Sequence, residues 1–320
     1  MTLLNVQNLT TYYQIRRGFV RAVEDVSFSL ERGEAMGLAG ESGCGKTTVA
    51  LSLLKILPPN GKIVHGKILL NDLDVVKLSE SELREKIRWK AISLIFQGAM
   101  NAMNPMYKVE DQIVEAIRLH EKGVTKKEAR DRVAKLFEMV GLEPERAKGY
   151  PHEFSGGMRQ RAMIAMALAC NPSILIADEP STALDVIVQA QVLKLIDELK
   201  RKLNLAIIMI SHDLSIISET CDKLAIMYAG RIVEVGDVLS VFKKPLHPYT
   251  QGLIAAFPSI YAPKQEMRAI PGSPPNLLNP PKGCRFAPRC NYSMDICLKK
   301  SPSLIEADKN HFVACHLVHK

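Results

Sequence analysis

An α/β fold built on a largely parallel sheet is predicted by three observations. Two near-continuous apolar runs, SILIAD (173–178) and LAIIMISH (205–212), flank the helical pattern VIVQAQVLKLIDELKRKL. Strands buried on both faces with a crossover helix between them point to parallel pairing. A third run, EAMGLAG (34–40), leads into the glycine-rich GESGCGKT (40–47) and then into a helix pattern, so strand, tight turn and helix follow one another again. With 47% hydrophobic and 24% charged residues over 320 positions, the chain has the balance of a globular protein with a sizeable core.

Residues 3–10 and 25–38 alternate apolar and polar side chains, the period of half-buried strands. SELREKIRWK (81–90) has a charged helical pattern and passes into the strand-like AISLIF. Over 109–140, Val109, Ile113, Ala116, Ile117, Val133, Leu136, Phe137 and Val140 recur every three or four positions, predicting helix. Beyond Phe242 the composition shifts: eleven of eighteen prolines fall between Pro245 and Pro302, which sets a boundary near 240–245. Residues 261–320 hold nine basic and four acidic residues, so five of the net eight positive charges lie in this tail. No apolar run nears the ~20 residues needed to cross a bilayer. The first ten residues lack the basic-then-apolar order of a signal peptide, so a cytoplasmic protein is expected.

Three motifs point to phosphate chemistry. GESGCGKT matches G-x-x-x-x-G-K-S/T between a strand and a helix, the context a phosphate-binding loop requires. Gly40, Gly43 and Gly45, with Ser42 and Cys44 among them, let backbone N–H groups wrap phosphate oxygens, and the helix that starts through Lys46, Thr47 and Thr48 adds its positive end. Lys46 is expected at the β and γ phosphates and Thr47 on Mg²⁺. A chance glycine turn is the competing reading, and the flanking strand and helix weigh against it.

ILIADEP (174–180) ends a buried strand in Asp178, a candidate Mg²⁺ ligand, followed by Glu179, a candidate for polarising the attacking water. A solvent-facing acidic pair is the bland alternative. EFSGGMRQR (153–161) places Ser155, Gly156 and Gly157 before a helix, a second anion-favouring helix start, or else a simple cap by Ser155.

The ordered set GESGCGKT, Gln97 after a strand, FSGGM with RQR, ILIADEP, STALD (181–185) and His212 after LAIIMIS resembles the ATP-binding subunit of an ABC transporter, over residues 1 to about 240. The resemblance implies a P-loop ATPase core with an antiparallel β subdomain and a helical subdomain over about 98–170. It also implies head-to-tail dimers in which each ATP, with Mg²⁺, lies between the phosphate loop of one subunit and the SGG segment of the other. By position, Tyr13 resembles the adenine-stacking aromatic, with Tyr12 its neighbour. Gln97 resembles the residue that touches Mg²⁺ and water and links ATP state to membrane partners. Asp185 resembles the cross-interface aspartate, and His212 the γ-phosphate sensor. Met158 stands where the family commonly has Gln.

The tail, 241–320, has HPYTQGLIAAFPS and IPGSPPNLLNPPKGCRFAPRC, which resemble the C-terminal extension of the oligopeptide/dipeptide-importer branch; some members of that branch import nickel or oligosaccharides. The branch implies a second, related ATPase subunit or a homodimer, two transmembrane permease subunits, an extracytoplasmic solute-binding protein, and a peripheral place on the cytoplasmic face of the membrane. Cys284, Cys290, Cys297 and Cys315 follow the spacing C-x₅-C-x₆-C-x₁₇-C, wider than the usual zinc pairs. The residues alone leave an iron–sulfur cluster and zinc equally open. The branch resemblance implies a 4Fe–4S cluster, ahead of zinc or unliganded thiols, with Lys282, Arg285 and Arg289 offsetting its charge. Such a cluster would cross-link a proline-rich segment that is short of apolar surface. Cys44, Cys170 and Cys221 read as small packing residues. From another class, a soluble ABC ATPase of DNA maintenance or translation would suit the net charge of +8. It would ordinarily bring coiled-coil insertions or a second cassette, which are missing, so no nucleic-acid partner is expected. A subunit that binds ATP without hydrolysing it conflicts with Glu179.

Overall fold

The computed structural model describes residues 2–98, 102–182, 184–256 and 270–318. The chain forms two compact units, one of Glu31–Glu34 and Lys77–Met209, the other of Thr2–Leu30, Ala35–Val76 and Ile210–Lys320.

The second unit contains an antiparallel sheet in the order Gly18–Glu31, Thr2–Ile15, Gly61–Leu70, Leu73–Asp74. Thr2–Ile15 and Gly61–Leu70 pair from Leu4↔Leu70 to Tyr13↔Gly61, with a register shift at Thr10. Leu3, Leu4, Leu9, Leu30 and Ile68 are fully buried there. The expected strand over 25–38 is in fact the end of Gly18–Glu31 and a separate strand, Ala35–Ala39. All five residues of the latter are buried. It runs parallel to Lys223–Tyr228, Met36 opposite Lys223 and Ala39 opposite Ile226. Arg231–Asp237, His311–Val313 and Ile305–Asp308 then follow antiparallel, edge to edge.

The end of the tail thus supplies two strands to the sheet that carries the phosphate loop. Strands of three and four residues are too short for a legible period. Tyr249 and Phe286 of the tail share one core with Ala39, Leu224, Ile226 and Tyr228. The Tyr228 ring lies 4.6 Å from that of Tyr249 and 5.2 Å from that of Phe286, the latter edge-on. Each such buried side chain contributes about 1.5–3 kcal/mol.

In the first unit Ile92–Ile95 pairs parallel with Ile174–Asp178, Ile92 opposite Ile174, and Ala206–Ile210 lies beside Ile174–Asp178. The helix expected over 109–140 is two helices, Val109–His120 and Lys126–Met139. Thr125 starts the second with a capping box: its hydroxyl accepts from the Glu128 N–H, and the Glu128 carboxylate accepts from the Thr125 N–H. The charged stretch at 81–90 yields only Glu80–Glu82 and a π turn, Leu83–Ile87. Gly156–Ala167 and Val186–Leu203 match the predicted helices.

Candidate active site

The phosphate loop lies in the second unit and leaves the buried strand Ala35–Ala39 through Gly40. A Cβ on Gly40 (φ 148°) would stand 2.1 Å from the Met227 carbonyl oxygen, and one on Gly45 (φ 108°) 2.3 Å from that of Ala22, so neither position admits a side chain. Helix Lys46–Leu53 begins at Gly45 with no side-chain cap. Its first N–H groups can therefore face an anion, with the helix dipole behind them. The buried Lys46 ammonium donates to the carbonyl oxygens of Gly40 (2.7 Å) and Glu41 (3.1 Å), folded back along the loop.

Thr47 and Ser42 are exposed, while Thr48 is buried. The Tyr13 hydroxyl lies 3.2 Å from the Thr48 hydroxyl, whereas Tyr12 donates to Glu24 at 3.1 Å, so Tyr13 is the tyrosine that reaches the loop. Burial pushes the Cys44 thiol up, leaving a packed, protonated thiol. His212 is exposed just past strand Ala206–Ile210.

The carboxylate residues lie in the first unit. Asp178, 3% exposed, ends its strand. Glu179 follows with a left-handed backbone, φ 49°. Its Oε2 accepts from Gln97 Nε2 at 2.7 Å and from the Thr182 hydroxyl at 3.0 Å. Gln97 and Glu179, 82 positions apart, thus form one polar pair. Ser155 caps Gly156–Ala167, accepting from the Met158 N–H at 3.3 Å, as the simpler sequence reading anticipated. Gly156 and Gly157 form its first turn, and a Cβ on Gly157 would stand 2.8 Å from Val188 Cγ1. Asp185 caps Val186–Leu203 through the Val188 N–H at 2.9 Å, with Val186 and Ile187 exposed beside it. Ala183 of STALD lies outside the described residues.

The tail corrects one expectation. Arg285 and Arg289 do not serve the cysteines. Arg285 Nη2 pairs with Glu24 at 2.8 Å, and Arg289 Nη1 with Glu41 at 2.8 Å; two carboxylates elsewhere in the unit are stronger partners than neutral thiols. Neither glutamate has a sequence motif that would reveal this, because both pairings span most of the chain. The cysteines are free thiols, with Cys297 and Cys315 buried and the Cys284 N–H donating to the Cys297 carbonyl at 2.7 Å. Burial, then the proximity of Cys284, Cys290 and Cys297, pushes the Cys315 thiol up to about 11. Among the described residues, no three His, Cys, Asp or Glu side chains gather as a group that could hold a metal ion. A single-ion site on these thiols, the zinc alternative, is therefore not seen among the described residues.

A model of the ABC transporter family matches residues 23–182, and one for the oligopeptide/dipeptide transporter C-terminal region matches 233–297. The oligopeptide transport ATP-binding protein OppD of Escherichia coli is 48% identical over 98% of this chain and 92% of its own length. The dipeptide transport ATP-binding protein DppD of Bacillus subtilis is 46% identical over 98% of this chain and 94% of its own. Among solved structures, the dimeric bacterial ABC transporter cassette MJ0796 superposes with a TM-score of 0.65 at 25% identity, covering 73% of this chain and 98% of that one. With the phosphate loop formed and nearly the whole length matched, the chain belongs to the ABC transporter family, as an ATPase subunit of its oligopeptide/dipeptide branch.

Proposed function

We propose that this ATPase powers import of dipeptides, oligopeptides or related small solutes through separate membrane subunits. The observation that carries the reading is the phosphate loop: a helix that starts uncapped at Gly45, with the Lys46 ammonium held over the loop by two carbonyls. ATP and Mg²⁺ supply the phosphoanhydride and its counter-charge. On this reading Gly40, Ser42, Gly43, Cys44, Gly45 and Thr48 cradle the phosphates, Lys46 neutralises them, Thr47, Gln97 and Asp178 serve Mg²⁺, and Tyr13 stacks on adenine. Glu179 polarises the attacking water, Gln97 orients Glu179, and His212 senses the γ-phosphate. Ser155, Gly156, Gly157 and Asp185 face the nucleotide of a second ATPase subunit. The proposed division is an ATPase domain over 1–240, with its helical subdomain at about 98–170, and an extension over 241–320. Two permease subunits and an extracytoplasmic solute-binding protein complete the importer, with this chain on the cytoplasmic membrane face.

Reconstitution with the permeases and binding protein tests this: peptide-stimulated phosphate release and uptake are expected. ATP turnover that no peptide, metal or oligosaccharide stimulates, together with salt-dependent binding of nucleic acid, would instead favour the DNA-maintenance or translation class.

For the tail, the finer reading is a structural 4Fe–4S cluster on Cys284, Cys290, Cys297 and Cys315. What supports it is the mutual proximity of the thiols and the branch resemblance, since a cluster spreads its cysteines around several irons instead of gathering them on one ion. Iron and acid-labile sulfide, about four of each per chain after anaerobic purification, are expected. Zinc alone or no metal would refute it without touching the ATPase.

A further inference from the structure

The tail segment CRFAPRC touches the phosphate loop's support at two points, both within the second unit. Arg289 forms a fork-to-fork pair with Glu41, the second residue of GESGCGKT: Nη1 to Oε2 at 2.8 Å and Nη2 to Oε1 at 3.0 Å. The same guanidinium donates through Nε to the Pro271 carbonyl at 2.7 Å, and it lies 5.7 Å from the Tyr228 ring centroid. The Arg289 side chain is 6% exposed, so its aim is set by packing. Arg285 donates to the Ala229 carbonyl and pairs with Glu24 at 2.8 Å. The next residue after Ala229, Gly230, donates its N–H to the Cys44 carbonyl of the loop at 2.8 Å.

Glu41 is the joint of this arrangement. Its N–H donates to the buried Tyr249 hydroxyl at 2.9 Å, its carbonyl accepts from Lys46 Nζ at 3.1 Å, and its carboxylate is held by Arg289. A carboxylate within a loop built to hold phosphates opposes them and competes for the lysine, unless a fixed cation neutralises it. Arginine suits this better than lysine, because its planar fork holds both oxygens in one orientation.

We propose that Arg289 is a positioning residue for the nucleotide: it neutralises Glu41 and fixes the stretch of main chain that aims Lys46, with Arg285 bracing the turn behind Cys44. The C-terminal extension thereby sets ATP affinity in the same chain. This rests on the ATPase reading of the loop.

The test uses the full-length chain and MgATP, reading KM and kcat of phosphate release. Arg289→Ala is expected to raise KM about tenfold, as expected for one uncompensated charge near the phosphates, with kcat within about twofold. Glu41→Gln alone is expected to raise KM less than Arg289→Ala does, since it loses one oxygen of the fork together with the opposing charge, and the double variant should fall back from the Arg289→Ala value to the Glu41→Gln value. A structural role alone would make the double variant no better than Arg289→Ala, which overturns the charge argument. An unchanged KM in Arg289→Ala overturns the proposal while wild-type turnover keeps the ATPase reading intact. If Arg289→Ala fails to fold by circular dichroism, Arg289→Lys decides: an intermediate rise of about threefold supports the proposal, and wild-type KM refutes it.

Discussion

His247 is 1% exposed and caps helix Pro248–Ala255, its ring Nδ1 accepting from the Tyr249 N–H at 3.0 Å. Its own N–H donates to Glu234, a fully buried carboxylate that also accepts from the Leu246 N–H and lies 2.7 Å from His311 Nε2. Burial pulls the His247 pKa from 6.5 down to about 3, since an imidazolium there would have no water and Nδ1 would lose its acceptor role. The folded protein therefore keeps this ring neutral between those values, while the unfolded chain takes up a proton as pH falls below 6.5. Unfolding is favoured as the solution becomes more acidic, and the contribution is lost progressively down to about pH 3.

At about 1.4 kcal/mol per pH unit, the whole window holds at most about 5 kcal/mol, of which the step from about pH 7.5 to 5.5 takes about 1.4 kcal/mol. At roughly 2–4 °C per kcal/mol, that step lowers the melting temperature by about 3–5 °C. The lowered carboxylates, Glu24 among them, titrate below this range, so the early acid slope isolates histidine. The assay is thermal melting of wild type and His247→Asn at several pH values between those limits. Asparagine keeps an N-cap acceptor but has no proton to gain, so its slope should be flatter even if its absolute stability is lower. Equal slopes in the two proteins would refute the reasoning.

Glu179→Gln keeps an oxygen that can accept from Gln97 yet removes the negative charge. Phosphate release should fall at least a hundredfold with ATP binding retained, and unchanged turnover would revive the non-hydrolysing reading. Gly45→Ala places its Cβ 2.3 Å from the Ala22 carbonyl oxygen at φ 108°. The loop must shift, and equilibrium binding of ATP should weaken at least tenfold. Tyr249→Phe removes the acceptor of the Glu41 N–H. Leaving this part-buried donor unpaired should destabilise the chain by about 1–2 kcal/mol in urea denaturation, and a change below about 0.5 kcal/mol would show that the bond contributes little.

The sequence by itself determined what is local. Runs such as ILIAD and AIIMI became five-residue strands with every residue buried. The glycines of GESGCGKT stand where no Cβ fits at Gly40 and Gly45, and Ser155 and Asp185 cap the helices they precede. These features follow from side-chain period, backbone sterics and hydrogen bonds over three or four positions, all readable within one window. Tertiary structure alone decided the partners: Glu179 for Gln97 across 82 positions, Glu41 for Arg289 across 248, and Glu234 for His311 across 77. It turned the tail's arginines away from its cysteines and onto the loop's supporting carboxylates, and it placed Ile305–Asp308 and His311–Val313 on the edge of the sheet. A charge or a short strand carries no sign of its distant complement. Which of many possible pairs forms is settled only when the packed core brings two groups to hydrogen-bonding distance and removes their water.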